Sequence, residues 1–254
     1  MERLVRTTRV SLEREPVSNS ARGDLERFGY VLLDEIFDIH ELNSLAERLA
    51  ATLRTNHEAS VLRSRGQTYG SRNLLAMFPD VSTLLISRPL LEFVTGVLGC
   101  NAGLVRALYF DKPPGRTWSL PWHKDRTIAV KRNDIPSSRF RKPTLKTGIS
   151  HVEAPDSLLA EMLTLRIHLD EMTEENGPLS VIPASHDPNV LSKQQPVQVR
   201  ANVGDVLAMR PLLSHSSSSS RPETTLHRRV IHLELASHRE LPDGYEWHTY
   251  IPIV

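Results

Sequence analysis

Apolar residues fall at helical steps only in the first hundred positions of the chain. Leu42, Leu45, Leu49 and Leu53 lie three and four apart, on one stripe of a helix, and Asp38 ahead of them has an N-cap side chain. This spacing predicts a helix over 38–54. A second helix is predicted over Arg88–Leu98, with Pro89 in its first turn and Gly99 past its end. Residues 29–37 read as a short buried strand followed by a turn. The stretch 56–71 is polar, carries Arg63 and Arg65 with two glycines, and predicts a loop.

From Gly103 onward the pattern shortens. Runs of four to eight residues rich in Val, Ile, Leu and Tyr occupy 104–110, 127–131, 162–169, 179–183, 205–210 and 229–235, separated by Pro, Gly and Asn. Short strands so punctuated predict a β-sandwich or barrel, not a βαβ array. The early helices then pack outside that β core. No internal repeat interrupts the pattern.

Composition narrows the classes. The 254 residues suit one domain, a helical lead-in over about 1–100 and a β core over about 101–254. Net charge is +1, so nothing electrostatic points to nucleic acid or an anionic membrane. The single cysteine, Cys100, excludes an intramolecular disulfide and a cysteine-rich zinc site, and reads as a buried or inert thiol. Without an apolar leader or a run long enough to span a bilayer, the expectation is a soluble, cytoplasmic protein.

The candidate chemistry starts at His123-Lys124-Asp125. Residues i and i+2 of a strand share a face, so a strand here would bring the imidazole and carboxylate together and turn Lys124 away. A distant histidine would complete the two-histidine, one-carboxylate face that leaves iron(II) with open positions. His215 is the candidate, with His227 and His232 as rivals. Arg228 opens the last long strand and could bind a carboxylate bidentately; Arg229 must face the other way. Arg166 and His168 share one face of their strand, opposite Leu165, Ile167 and Leu169. Trp122 reads as a packing residue. The stretch 139–155 reads as a substrate-contacting loop. Hydrolase, P-loop, zincin and dinucleotide motifs are absent from the sequence.

Several segments in order resemble the phytanoyl-CoA dioxygenase family of iron(II)/2-oxoglutarate oxygenases. Residues 109–114 (YFDKPP) resemble its strand and KPP turn, and 120–125 (LPWHKD) its metal motif. The most specific piece is 169–179 (LDEMTEENGPL) followed by 181–186 (VIPASH), which resembles the family's N-G-P-L and P-G-S-H turns with Ala184 in place of glycine.

The resemblance implies a mainly β double-stranded β-helix, a cupin-like jelly roll with the N-terminal helices outside. It implies iron(II) on His123, Asp125 and His215, with 2-oxoglutarate anchored by Arg228 and approached by Arg166 and Ser217. The implied activity hydroxylates an unactivated C–H bond of a small molecule, releasing succinate and carbon dioxide, with molecular oxygen as the other reactant. Arginines at 63–72 with Arg139, Arg141, Lys142 and Lys146 hint at an anionic substrate. A cupin-like isomerase or dioxygenase without 2-oxoglutarate is the competing reading, and a non-catalytic jelly-roll module a third.

Overall fold

The computed structural model describes residues 9–10, 19–64, 66–190 and 194–254. The chain opens with strand β1 (Arg9–Val10), helix α1 (Asn19–Phe28), strand β2 (Tyr30–Leu33) and helix α2 (Ile39–Thr55). Strands β3 (Val61–Ser64) and β4 (Gln67–Ser71) follow, then helix α3 (Leu74–Met77), a 3-10 turn over Pro79–Ile86 and helix α4 (Arg88–Leu98). The β region comprises β5 (Gly103–Lys112), β6 (Leu120–His123), β7 (Thr127–Val130), β8 (Arg141–Lys146) and β9 (Ile149–Glu153), then helix α5 (Asp156–Ala160) and β10 (Met162–His168). It closes with β11 (Leu179–Val181), β12 (Val197–Gln198), β13 (Val206–Met209), β14 (His215–Ser217), β15 (Arg228–Ala236) and β16 (Ile251–Pro252).

These strands form two facing sheets of jelly-roll type. The larger runs β1-β2-β13-β10-β15-β5-β4-β3 and the smaller β12-β11-β14-β6, while β7, β9 and β8 make a third sheet beside them. Period-two alternation decides the layering. On β10, Leu163, Leu165 and Ile167 face the helices, and so do Ile231, Leu233 and Leu235 of β15. Leu42, Leu45, Leu49 and Leu53 of α2 and Phe93 of α4 fill the other side of that layer. The intervening residues Thr164, Arg166 and His168 are buried too, and point between the sheets. Between the sheets these polar residues lie beside an apolar cluster in which Leu32, Leu207 and Met209 meet Leu179 and Val181.

Helix α2 starts where the sequence places it: the Asp38 carboxylate accepts the backbone N–H groups of His40 and Glu41 at 2.9 and 3.1 Å. Three expectations change. Residues 56–71 are not a loop; β3 and β4 form a hairpin whose inner strand pairs with β5 through Gly70–Phe110 and Ser71–Tyr109. Residues 139–155 contain a second hairpin, β8–β9, whose Thr147-Gly148 turn has both φ angles positive, at 49° and 82°. Cys100 is exposed, not buried. Among the described residues no single helix is long and apolar enough to cross a membrane.

Ala184 carries a strained backbone. Its φ is 61°, and its N–H donates to the Phe28 carbonyl at 2.8 Å, which fixes the turn against α1. A left-handed conformation costs a residue with a Cβ about 1–2 kcal/mol, partly offset by the greater unfolded-state entropy of glycine. Ala184→Gly is expected to stabilise the fold by up to about 1 kcal/mol, seen as a rise of about 2–4 °C in a thermal melt.

Candidate metal centre

Two short strands of the smaller sheet bring the sequence-predicted donors together. His123 ends β6 and His215 begins β14, and the two residues are direct register partners. Asp125 lies just past the end of β6, not within the strand as the sequence suggested; its N–H donates to Pro211 O at 2.9 Å, which turns the chain back toward His215. The His123 Nε2 stands 3.8 Å from Asp125 Oδ1, and His215 Nε2 stands 3.6 Å from Asp125 Oδ2. All three donor atoms lie within 4.8 Å of one another. Two metal–donor bonds of about 2.1 Å each span up to about 4.2 Å, so both carboxylate–imidazole spacings suit one shared ion. Lys124 points away and donates to Ser185 O at 2.7 Å.

The imidazoles are oriented by the same device. His123 Nδ1 donates to Pro121 O at 2.8 Å and His215 Nδ1 donates to Leu213 O at 2.9 Å. A carbonyl only accepts, so each Nδ1 carries the proton and each Nε2 presents a lone pair toward Asp125. Burial lowers His215 to about 4 despite the pull of Asp125, so its ring is neutral at physiological pH. Two imidazoles and a carboxylate, with one side open, match the donor set that iron(II) takes in oxygen chemistry.

The larger sheet supplies a cationic wall facing these donors. A cavity of about 350 Å³ is lined by the three donors together with Arg166, Arg228, Ser217 and His232. The Arg228 side chain is buried; its Nη1 donates to Gly177 O at 2.6 Å, while its Nε has no partner among the described residues. The buried Arg166 places Nη1 3.4 Å from His232 Nδ1, and its Nε is likewise unpartnered. Burial presses both guanidinium groups below the usual arginine value, yet both stay charged because that value is so high. Arg229 faces the opposite way and pairs with Asp170, its Nε 2.9 Å from Oδ2 and its Nη2 2.6 Å from Oδ1.

Gly177 explains why the N-G-P segment sits here. Its φ is 73°, and a Cβ on it would lie 2.4 Å from Ser218 O. The preceding Asn176 is fully buried and laces the turn: it accepts Thr173 N–H at 3.0 Å and donates to Glu171 O at 2.7 Å and His227 O at 3.0 Å. The turn thereby holds the Gly177 carbonyl where Arg228 needs it.

Sequence reasoning missed Lys112. This fully buried lysine is the register partner of Arg228, and its Nζ donates to Ser218 O at 2.6 Å and Ser217 Oγ at 3.2 Å. Burial, then repulsion from Arg228 and Arg166, brings its amine down to about 6. The signal was available: Arg106, Leu108, Phe110 and Lys112 alternate along β5, so a lysine at the inward end of that face could be read. The rival ligands do not reach the donor cluster. His227 is exposed and pairs with Asp111, its Nδ1 3.0 Å from Oδ1, and His232 lies beside Glu234. Trp122 is 44% exposed and packs in no core.

Two buried guanidinium groups with orphaned nitrogens, beside a lysine amine that they depress, fit a small dicarboxylate lying beside the donor set. A model of the phytanoyl-CoA dioxygenase (PhyH) family matches residues 25–230. No curated protein matches the chain. Among solved structures, EctD from S. alaskensis with 2-oxoglutarate and 5-hydroxyectoine is similar, with a TM-score of 0.67 and 20% identity, covering 94% of this chain and 83% of that one. The non-heme alpha ketoglutarate dependent epimerase SnoN from nogalamycin biosynthesis is similar at a TM-score of 0.64 and 14% identity, covering 89% and 83%. The carbocyclase SnoK of the same biosynthesis reaches 0.62 at 16% identity, covering 89% and 88%. At these identities the likeness establishes the fold.

Proposed function

The chain belongs to the phytanoyl-CoA dioxygenase (PhyH) family of non-haem iron/2-oxoglutarate oxygenases, and from that premise we propose that it hydroxylates an unactivated C–H bond of a small molecule. The observation that carries this reading is that one cavity is lined by both the three-donor cluster and the buried guanidinium of Arg228. Iron(II) on His123, Asp125 and His215 together with bound 2-oxoglutarate supplies oxygen activation, coupled to conversion of the keto acid to succinate and carbon dioxide.

The chain's own residues hold, orient and exclude. The paired Nδ1 donors keep both imidazoles in the ligating tautomer through the catalytic cycle. Arg228 receives the distal carboxylate with the Nε left free by Gly177, and Arg166 faces the same anion from β10. Ser217 stands at the floor of the site with its hydroxyl already accepting from Lys112. Tyr69 and Trp118, edge to face with ring centroids 5.7 Å apart, line the cavity and help keep water from it. The Asp125 carboxylate favours hydroxylation because a small residue there would leave room for a halide. The epimerase and carbocyclase among the similar structures make the product's mass decisive. Full-length protein given iron(II) and 2-oxoglutarate should release succinate, faster with a true substrate, whose product gains one oxygen atom. Absence of iron-dependent succinate would overturn the assignment, and a product without added oxygen would replace hydroxylation by another outcome of the same centre.

Lys112 makes co-substrate binding pH-dependent. Its amine is held at about 6 in the fold and at the usual lysine value when unfolded, so between these the folded chain keeps it neutral. A dicarboxylate against Arg228 raises it again. Binding of 2-oxoglutarate near pH 8 is therefore expected to take up a proton, and affinity to fall as pH rises further. Calorimetry in buffers of different ionisation enthalpy measures this, and Lys112→Met should remove the uptake.

A further inference from the structure

The cavity has a second cationic end, away from Arg228. On β15 the inward side chains run Arg228, His232, Glu234, and their register partners on β5 are Lys112, Leu108 and Arg106. Six residues at about 3.3 Å each separate Arg228 from Glu234, so the two ends stand about 20 Å apart along the strand. At the far end Arg106 is already spent: its Nε donates to Glu234 Oε2 at 2.8 Å, and its Nη2 pairs with Oε1 and reaches Thr127 O at 3.4 Å. Burial alone would raise the Glu234 carboxyl, yet Arg106 and His232 hold it down at about 2. That pair is neutral as a unit.

Two further cations enter the same space. Arg72 follows β4, whose register with β5 continues from Ser71–Tyr109 to bring Arg72 level with Leu108 on the cavity side. Among the described residues its guanidinium makes no hydrogen bond or ion pair. Lys146 is delivered by the β8–β9 hairpin and meets only a neutral partner, Thr127 Oγ1 at 3.0 Å. Burial, then Arg106 and Arg72, depress its amine against the weaker pull of Glu234 and Asp125, which places Lys146 close to both arginines. The carboxylate of Asp125 acts on Arg166, which stands level with His232 between the two ends, and on Arg106 and Lys146 at the far end. Nearby cations on the hairpin are not part of this: Arg141 and Lys142 are exposed, and Lys142 pairs with Glu153 at 2.7 Å.

We infer that Arg72 and Lys146 form an anion-recognition subsite opposite Arg228, and that the substrate carries a carboxylate or phosphate group held there. Naming the ligand as substrate rests on the oxygenase reading; the anion site itself does not. Leu62, Leu108 and Phe110 line the cavity as well, so the body of such a substrate lies along an apolar wall. A charged end pinned at a fixed distance from the iron donors would decide which C–H bond is presented.

The test uses the full chain loaded with redox-inert zinc(II) and saturated with 2-oxoglutarate, which occupies the Arg228 end. Inorganic phosphate is titrated and followed by phosphorus NMR line broadening, with propionate as competitor to distinguish phosphate from carboxylate preference. The double variant Arg72→Met, Lys146→Met is expected to weaken binding of the preferred anion about tenfold or more. Arg139→Met, Arg141→Met should leave it unchanged. Circular dichroism verifies that each variant is folded. Binding insensitive to the Arg72 and Lys146 changes, or no binding of either anion at tens of millimolar, would overturn the inference. Loss of 2-oxoglutarate affinity in the double variant would overturn it too, by assigning the pair to the keto acid. Failure of the oxygenase reading shows separately, as absent iron-dependent succinate with anion binding intact.

Discussion

Asp125→Ala is expected to reduce iron-dependent succinate formation to background while leaving the fold intact. The carboxylate stands between the two Nε2 lone pairs, at 3.8 Å from His123 and 3.6 Å from His215, and contributes the only negative charge of the donor set. Without it, two imidazoles from paired strands remain. They hold a divalent ion weakly and cannot fix the face on which oxygen chemistry depends. The backbone at 125 keeps its bond to Pro211 O, and the side chain is partly exposed, so stability should change by no more than about 0.5 kcal/mol. Metal content by elemental analysis, succinate yield and a thermal melt together measure this. Wild-type turnover in the variant would remove Asp125 from the site.

Arg228→Ala should raise the 2-oxoglutarate requirement about a hundredfold, whereas Arg229→Ala should scarcely alter it. Loss of a buried, hydrogen-bonded charge partner costs a ligand roughly 2–5 kcal/mol, and Arg228 is the buried one of the pair and the one that lines the cavity. Lys112 tempers the effect. With Arg228 gone its amine is less depressed, so it regains a proton and supplies residual attraction. Arg229 instead closes a bidentate pair with Asp170, which also accepts its backbone N–H at 2.7 Å. Its removal should lower stability by about 1–2 kcal/mol, read by urea denaturation, with the keto-acid dependence of succinate formation unchanged. The reverse pattern would exchange the two roles.

The contrast between Arg228 and Arg229 was legible because strand alternation admits only one of two neighbours to the interior. The same reasoning exposes its own limits. Alternation places His123 and Asp125 on one side only if β6 continues through both, and it ends at His123. The donors meet because the chain bends back to Pro211, a contact no local pattern encodes. The hairpin β3–β4 escaped notice for a different reason. Its inner strand, Gln67–Ser71, is polar and pairs with β5 through backbone bonds, so no apolar period announces it. Arg72 was therefore seen as a loop arginine, and its place beside the cavity emerges only from the register with β5. Lys112 was missed as a site residue because burial of a lysine runs against composition rules, and only neighbouring cations and a cavity make sense of it. Helix α2 was legible almost to the residue, because an N-cap and a regular leucine stripe are both local.

The decisive measurement is an anaerobic titration of the metal-free protein with iron(II) and then 2-oxoglutarate, followed by visible absorption. One iron per chain should bind, a charge-transfer band should grow only after the keto acid is added, and His215→Ala should abolish it. A band of full intensity in His215→Ala, or no stoichiometric iron in the wild type, would contradict a centre built on His123, Asp125 and His215.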